Sequence, residues 1–181
     1  MEHAAHIAEF EQAARAYIQK AIGIDIGTEE HDLAFLDHYV RTIQKQGTPD
    51  QAVLDLAASA LGVLFGQMVL HKLPGRWDIP PASTDPSQWR VAIDPLPFSF
   101  YPVAMAYTAL RGQELENVDD SLSFPRAWQE RANAFLEQLP PVPVDYFYSF
   151  TGRFETLCYL TEVSALWLHE KKATKKASAV D

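Results

Sequence analysis

Between Ala57 and Leu70 the chain is apolar except at Ser59 and Gln67, and it carries two glycines four apart, Gly62 and Gly66. Asp55 and His71 bound the run, which falls short of the roughly 20 apolar residues that a bilayer-crossing helix needs. The stretch is therefore read as the middle of a core helix spanning about Pro49 to Lys72, not as a membrane span. Asp55, Ser59, Gly62 and Gly66 follow one another at spacings of four, three and four and share one stripe. Leu54, Leu61, Leu64, Phe65 and Met68 cover much of the remaining surface, so the helix should be buried on most sides. Each glycine costs about 1 kcal/mol of helix propensity relative to alanine, a cost normally offset by close approach of another backbone. The stripe thus predicts a helix or strand packed on Gly62 and Gly66.

Around this helix the sequence is punctuated in the helical manner. Ile7, Phe10, Ala14, Tyr17, Ile18 and Ala21 recur at three and four from His3 to Ile22, with Glu11 and Arg15 paired outside. Thr28 is read as the cap of a second helix, with Glu29 and Glu30 in its first turn, Arg41 and Lys45 in its last, and Leu33, Leu36, Val40 and Ile43 buried. Gly47 ends it, and Thr48-Pro49-Asp50-Gln51 reads as the capping box that opens the third. Beyond Pro74-Gly75 the character changes. Arg76 to Ile79, Trp89 to Asp94 and Pro97 to Tyr101 are short, aromatic or β-branched, and separated by turn formers, which predicts a small antiparallel sheet. The loop Pro80 to Gln88 should be exposed. Pro102 should open a helix that runs to Arg111 and closes at Gly112, and another should run from near Pro125 to before Pro140-Pro141. Pro140 to Phe150 reads as an extended connector leading into aromatics. A last helix from about Gly152 to Lys172 buries Phe154, Leu157, Cys158, Ala165 and Leu168, and residues 173–181, with Lys175 and Lys176, form a disordered basic tail.

Composition sets limits on function. A chain of 181 residues that is 48% apolar and 12% aromatic can bury one sizeable core, so a single domain over residues 1–172 is expected. A net charge of -9 disfavours nucleic acid and anionic membrane as partners, since neutralising phosphates needs clustered Lys and Arg. The lone cysteine, Cys158, and an acidic start without the basic and apolar regions of a secretory signal point to the cytoplasm.

Three groups of residues are candidates for chemistry. His38, His71 and His169 stand one per helix and offer a metal site between helices, with Glu155 as a further polar group. Neither they nor the pairs His3 with His6 and His31 with His38 match a zinc spacing, and surface histidines are the plainer reading. Arg76, Trp77, Trp89, Arg90 and Tyr101 gather on the expected sheet and form a candidate binding surface for a protein or peptide. Against this, the tryptophans can simply cover the glycine-bearing helix. Cys158 lies in a helix interior, where a buried structural thiol is expected. No nucleophile elbow, Walker loop or dinucleotide fingerprint is present, and no cofactor is expected.

TEEHDLAFLDHYV (Thr28 to Val40), LGVLFGQMVLHKLPGRW (Leu61 to Trp77) and DPLPFSFYPVAMAYTALRGQ (Asp94 to Gln113) together resemble a group of uncharacterised bacterial proteins. In that group a Gly-x-x-x-Gly helix leads to Gly-x-Trp, a short sheet and a proline-started helix. The resemblance implies an α+β domain, sometimes of immunity or accessory type, and brings no catalytic residues. The group often has an acidic residue directly after the second glycine, where this chain has Gln67.

Together these features predict an α+β fold, mainly helical, with a central antiparallel sheet of two or three strands. The expected function is a non-catalytic protein-interaction module of immunity, regulatory or accessory type, bound to another protein or to a second copy of itself. A homodimer would use the aromatic segment Tyr146 to Phe154. The alternative is a small-molecule or metal-dependent enzyme with its site between helices.

Overall fold

The stripe of small and polar residues on the glycine-bearing helix is the seat of a second helix, and the fold is organised around that contact. The computed structural model describes residues 2–47, 50–96 and 98–177. Seven helices are present among them: α1 (Glu2–Ile22), α2 (Leu33–Lys45), α3 (Gln51–Lys72), α4 (Pro102–Arg111), α5 (Arg126–Leu136), α6 (Val144–Phe147) and α7 (Phe150–Ala177). Three short strands, β1 (Gly75–Asp78), β2 (Arg90–Ile93) and β3 (Phe98–Phe100), form one antiparallel sheet in the order β1-β2-β3. The chain is a mainly helical α+β protein with one small sheet.

α4 runs antiparallel along the α3 stripe. Asp55 accepts a hydrogen bond from the Tyr107 hydroxyl at 2.8 Å, and a Cβ on Gly62 would stand 2.5 Å from Val103 Cα. A Cβ on Gly66 would meet the Trp77 ring at 2.5 Å and Pro102 Cγ at 3.2 Å. Real Cβ atoms do not approach so closely, so both positions need glycine for packing, and the partners are the start of α4 and a side chain of β1. α1 covers another side of α3, with Ala14 and Ile18 fully buried. By length and composition α3 could cross a membrane, so the shortness of its apolar run excludes nothing. What occupies its surface is protein: 67% of its most apolar window is buried against neighbouring elements.

The sheet lays its apolar face over this pair. Val91 lies opposite Trp77 and Phe100, and Ile93 lies opposite Phe98, so alternation places Trp77, Val91, Ile93, Phe98 and Phe100 on one side. Ser99 exchanges two backbone hydrogen bonds with Ser123, which covers the free edge of β3. Phe65 of α3 meets Phe100 and, at 5.0 Å between ring centroids, Phe150 at the start of α7.

Several local expectations are corrected. α2 is preceded by a 3-10 turn at Glu30–Asp32 whose cap is Glu29, not Thr28: the Asp32 carboxylate accepts from the Glu29 backbone N–H at 3.0 Å. The cap of α3 is Asp50, whose Oδ1 accepts from Val53 N–H at 2.9 Å; the expected Thr48-Pro49 start lies outside the described residues. Pro97, expected to begin β3, lies outside them too. The Pro80 to Gln88 loop is exposed as expected except at Ser83 and Pro86, which are buried, and it ends in a 3-10 turn packed on α3 and α4. The Pro140 to Phe150 connector contains the helical turn α6. α7 begins two residues early and continues to Ala177, so the expected tail is helical over 173–177, and 178–181 lie outside the described residues.

Candidate functional site

The residues expected to form a binding face on the sheet divide between core and self-paired surface. Trp89 is wholly buried, edge-on to Phe10 and Trp77 at 5.9 and 6.3 Å between ring centroids. It stands two residues before Val91, so its contact with Trp77 is the diagonal one across an antiparallel pair. Trp77 lies on Gly66 and donates its indole N–H to Gln67 Oε1 at 2.9 Å, while the Gln67 amide donates to Glu11 on α1. Gln67 therefore ties α3, β1 and α1 together from the position after the second glycine. Trp77 covers the glycine-bearing helix, and Trp89 is a core residue beside it.

The arginines of the sheet point the other way. Arg76 pairs with Asp94, and Arg90 Nε donates to Asp78 at 2.7 Å, its direct cross-strand neighbour. The outer face is thus electrically balanced. Tyr101 is half-buried at the cap of α4.

The histidines do not converge. His38, His71 and His169 are exposed on α2, α3 and α7, and His71 is hydrogen-bonded to Glu29 at 3.1 Å. Among the described residues no group of three or more His, Cys, Asp or Glu side chains could hold a metal ion, which removes the expected inter-helix ligand set. Glu155 is exposed near Tyr146, whose phenol is pushed up to about 12 by burial and by that carboxylate. Cys158 is half-buried, and burial raises its thiol above the ordinary value, so it is a weaker nucleophile than a free cysteine at neutral pH.

A cleft of about 670 Å3 lies elsewhere, where α2, the end of α4 and the α6 segment meet. Three hydrogen-bonded junctions build it. Asp37 of α2 accepts from the backbone N–H groups of Phe150 and Thr151 at 2.7 and 3.2 Å and from the Thr151 hydroxyl at 2.6 Å. It is the N-terminal cap of α7, supplied from 113 residues away in sequence. Burial raises its carboxyl above the ordinary 3.8, opposed by those hydrogen bonds and by the charge of Arg41. Gln44 donates to the Ala109 and Leu110 carbonyls at 2.9 and 3.4 Å, and Gly112, in the left-handed conformation at φ 65°, turns the chain back to close the end of α4.

The third junction stands behind Tyr148. Arg153 pairs with Asp120, which also accepts the Thr108 hydroxyl at 2.8 Å, and its guanidinium lies over the rings of Phe147 and Tyr148 at 4.8 and 5.4 Å. Burial lowers the Arg153 pKa against the pull of Asp120. At the cleft rim the situation is reversed: Arg41 and Arg111 have no carboxylate within salt-bridge distance among the described residues, and Val142, Val144 and Phe147 of the adjoining segment are 47%, 66% and 49% exposed. Phe150 and Phe154, expected in a dimer interface, are core residues. Sequence reading singled out neither Arg111 nor Gln44. The signal available for them was their placement in the last turns of two helices, which does not show that those turns face each other.

No protein-family model, no curated protein and no solved structure matches this chain.

Proposed function

We propose that the protein is a non-catalytic protein-interaction module of the bacterial cytoplasm, of accessory or immunity type, and that its recognition surface is the α2–α4–α6 cleft with the apolar rim beside it. The observation that carries this reading is the coincidence of unpaired arginines and exposed Val144 in one cleft, with Val142 and Phe147 exposed on the segment that adjoins it. Depleted pairing beside exposed apolar side chains is the character of a surface that is completed by a partner. The sheet face, with each arginine answered by its own aspartate, lacks that character. The resemblance to uncharacterised bacterial proteins agrees with a role of this kind, and the single cysteine agrees with a reducing compartment.

The physical chemistry of the titratable groups favours binding over catalysis. Burial pushes the phenols of Tyr39 and Tyr107 and the thiol of Cys158 upward, away from the neutral range where general bases and nucleophiles operate. Asp37 has its oxygens committed to the start of α7.

Retention of a stoichiometric partner by tag-free protein from its own host tests the reading. A partner released by Val142→Ser and Val144→Ser at unchanged melting temperature is the expected result. A partner that ignores both substitutions, or a stoichiometric metabolite in place of a protein, would count against it.

A further inference from the structure

The chain holds 24 acidic against 15 basic residues, so an arginine without a carboxylate needs an explanation. Of its eight arginines, Arg15, Arg76, Arg90, Arg131 and Arg153 each have a carboxylate partner. Arg41, Arg111 and Arg126 have none among the described residues; Arg126 is exposed at the start of α5, whereas Arg41 and Arg111 line the same cleft. The local wiring accounts for this. Asp37, one turn before Arg41 and its natural i,i+4 partner, is turned inward to cap α7. Arg111 ends α4, yet it is not needed to satisfy the last carbonyls: Gln44 takes those of Ala109 and Leu110, and Gly112 N–H takes that of Thr108 at 2.8 Å.

The Gln44 bond also fixes the two arginines relative to one another. Gln44 is one turn after Arg41 on α2, and Ala109, which it holds at 2.9 Å, is two residues before Arg111. Arg41 and Arg111 are therefore tied to one hydrogen-bonded junction, and Val40, Ile43 and Leu110 line the same cleft. Of the two carboxylates in the cleft, Asp145 stands in the first turn of α6 and Asp37 is committed to the start of α7, so the uncommitted positive charge is on the α2–α4 side.

We propose that this end of the cleft recognises a carboxylate side chain, flanked by aliphatic residues, on a segment of a partner protein. A planar carboxylate matches the donor fork of a guanidinium in two-point geometry, and two such forks at one junction select it over an amide of the same shape. The aliphatic flanks follow from the wall residues and from exposed Val144 at the rim. This inference rests on the interaction role proposed above and adds the chemistry of the occupant.

The test is an amide-resolved NMR titration of the full chain with two blocked pentapeptides, acetyl-Ala-Leu-Glu-Leu-Ala-amide and its Gln counterpart. The Glu peptide is expected to move the amides of residues 40–44 and 109–112 in a saturable way. The Gln peptide should bind about tenfold more weakly, and Arg41→Gln or Arg111→Gln should remove about the same factor at unchanged melting temperature. Equal shifts from both peptides, or shifts confined to other elements, would overturn the proposal. Free glutamate or sulfate binding as tightly as the peptide would assign the site to a small anion instead and overturn it equally. If the peptides fail while a host partner is still released by Val144→Ser, the interaction role stands and the carboxylate inference falls.

Discussion

The two ends of α4 lie in opposite environments. At its start, Pro102 and Val103 are pressed into the glycine stripe of α3 so closely that no Cβ fits, and the nearby Trp77 indole has its one hydrogen bond satisfied by Gln67. At its end, Ala109 to Gly112 form one wall of an open cleft in which Arg41 and Arg111 lack the carboxylates that the other end of the molecule supplies freely. One helix thus joins a region of close packing to a region that a partner would complete. Stability should depend on the first and on the junctions behind the cleft, and recognition on the cleft rim.

Substitutions ordered by expected effect probe that division. Arg153→Ala leaves the half-buried Asp120 without its cation and should cost about 3 kcal/mol in chemical denaturation, the low end of what breaking a buried pair from one side does. Gly62→Val drives a branched side chain into the Val103 backbone, and the overpacking should cost about 3 kcal/mol despite the gain in helix propensity. An equally stable variant would mean that α4 is free to move away from α3, and the contrast between its two ends would collapse.

Asp37→Ala uncaps α7 and leaves the buried Phe150 N–H without an acceptor, a loss of about 2 kcal/mol. The same residue gives a pH signature. Because burial raises its carboxyl, the native state holds a proton that the unfolded chain has already released just above 3.8. The Asp37 contribution to stability therefore declines as pH rises from 3.8 through the folded value and is constant beyond it. Subtracting the stability of Asp37→Asn at each pH should isolate that decline, and a difference that grows with pH would contradict the assignment.

Trp77→Phe removes the bond to Gln67 together with the outer indole atoms that lie on Gly66, for an expected loss of about 1–2 kcal/mol in thermal unfolding. Smallest of all, Arg41→Ala and Arg111→Ala should each change stability by less than about 0.5 kcal/mol, since neither holds an internal partner among the described residues. A larger loss would show that these arginines serve the fold.

The same contrast explains what was legible in the sequence. α3, its glycine stripe, the three strands and the limits of α4 at Pro102 and Gly112 are written in local periodicity and turn chemistry, which act over a few residues. The cleft is not local. Asp37 reads as one more acid on an amphipathic helix until Phe150 arrives beside it, and Gln44 reads as a surface glutamine until α4 ends against it. The Arg-Trp sheet misled for a related reason: composition shows that Trp77, Trp89, Arg76 and Arg90 are neighbours, but only the register shows the rings facing inward and each arginine meeting an aspartate. The histidines failed similarly, because one exposed residue per helix says nothing of convergence.

The most direct measurement is native mass spectrometry of tag-free protein from its own host, comparing wild type with the double variants Arg41→Ala/Arg111→Ala and Arg76→Ala/Arg90→Ala. The account predicts a stoichiometric protein partner on wild type and on the sheet variant, and bare chains for the cleft variant. A partner lost from the sheet variant and kept by the cleft variant, or no partner on any of the three, would contradict it.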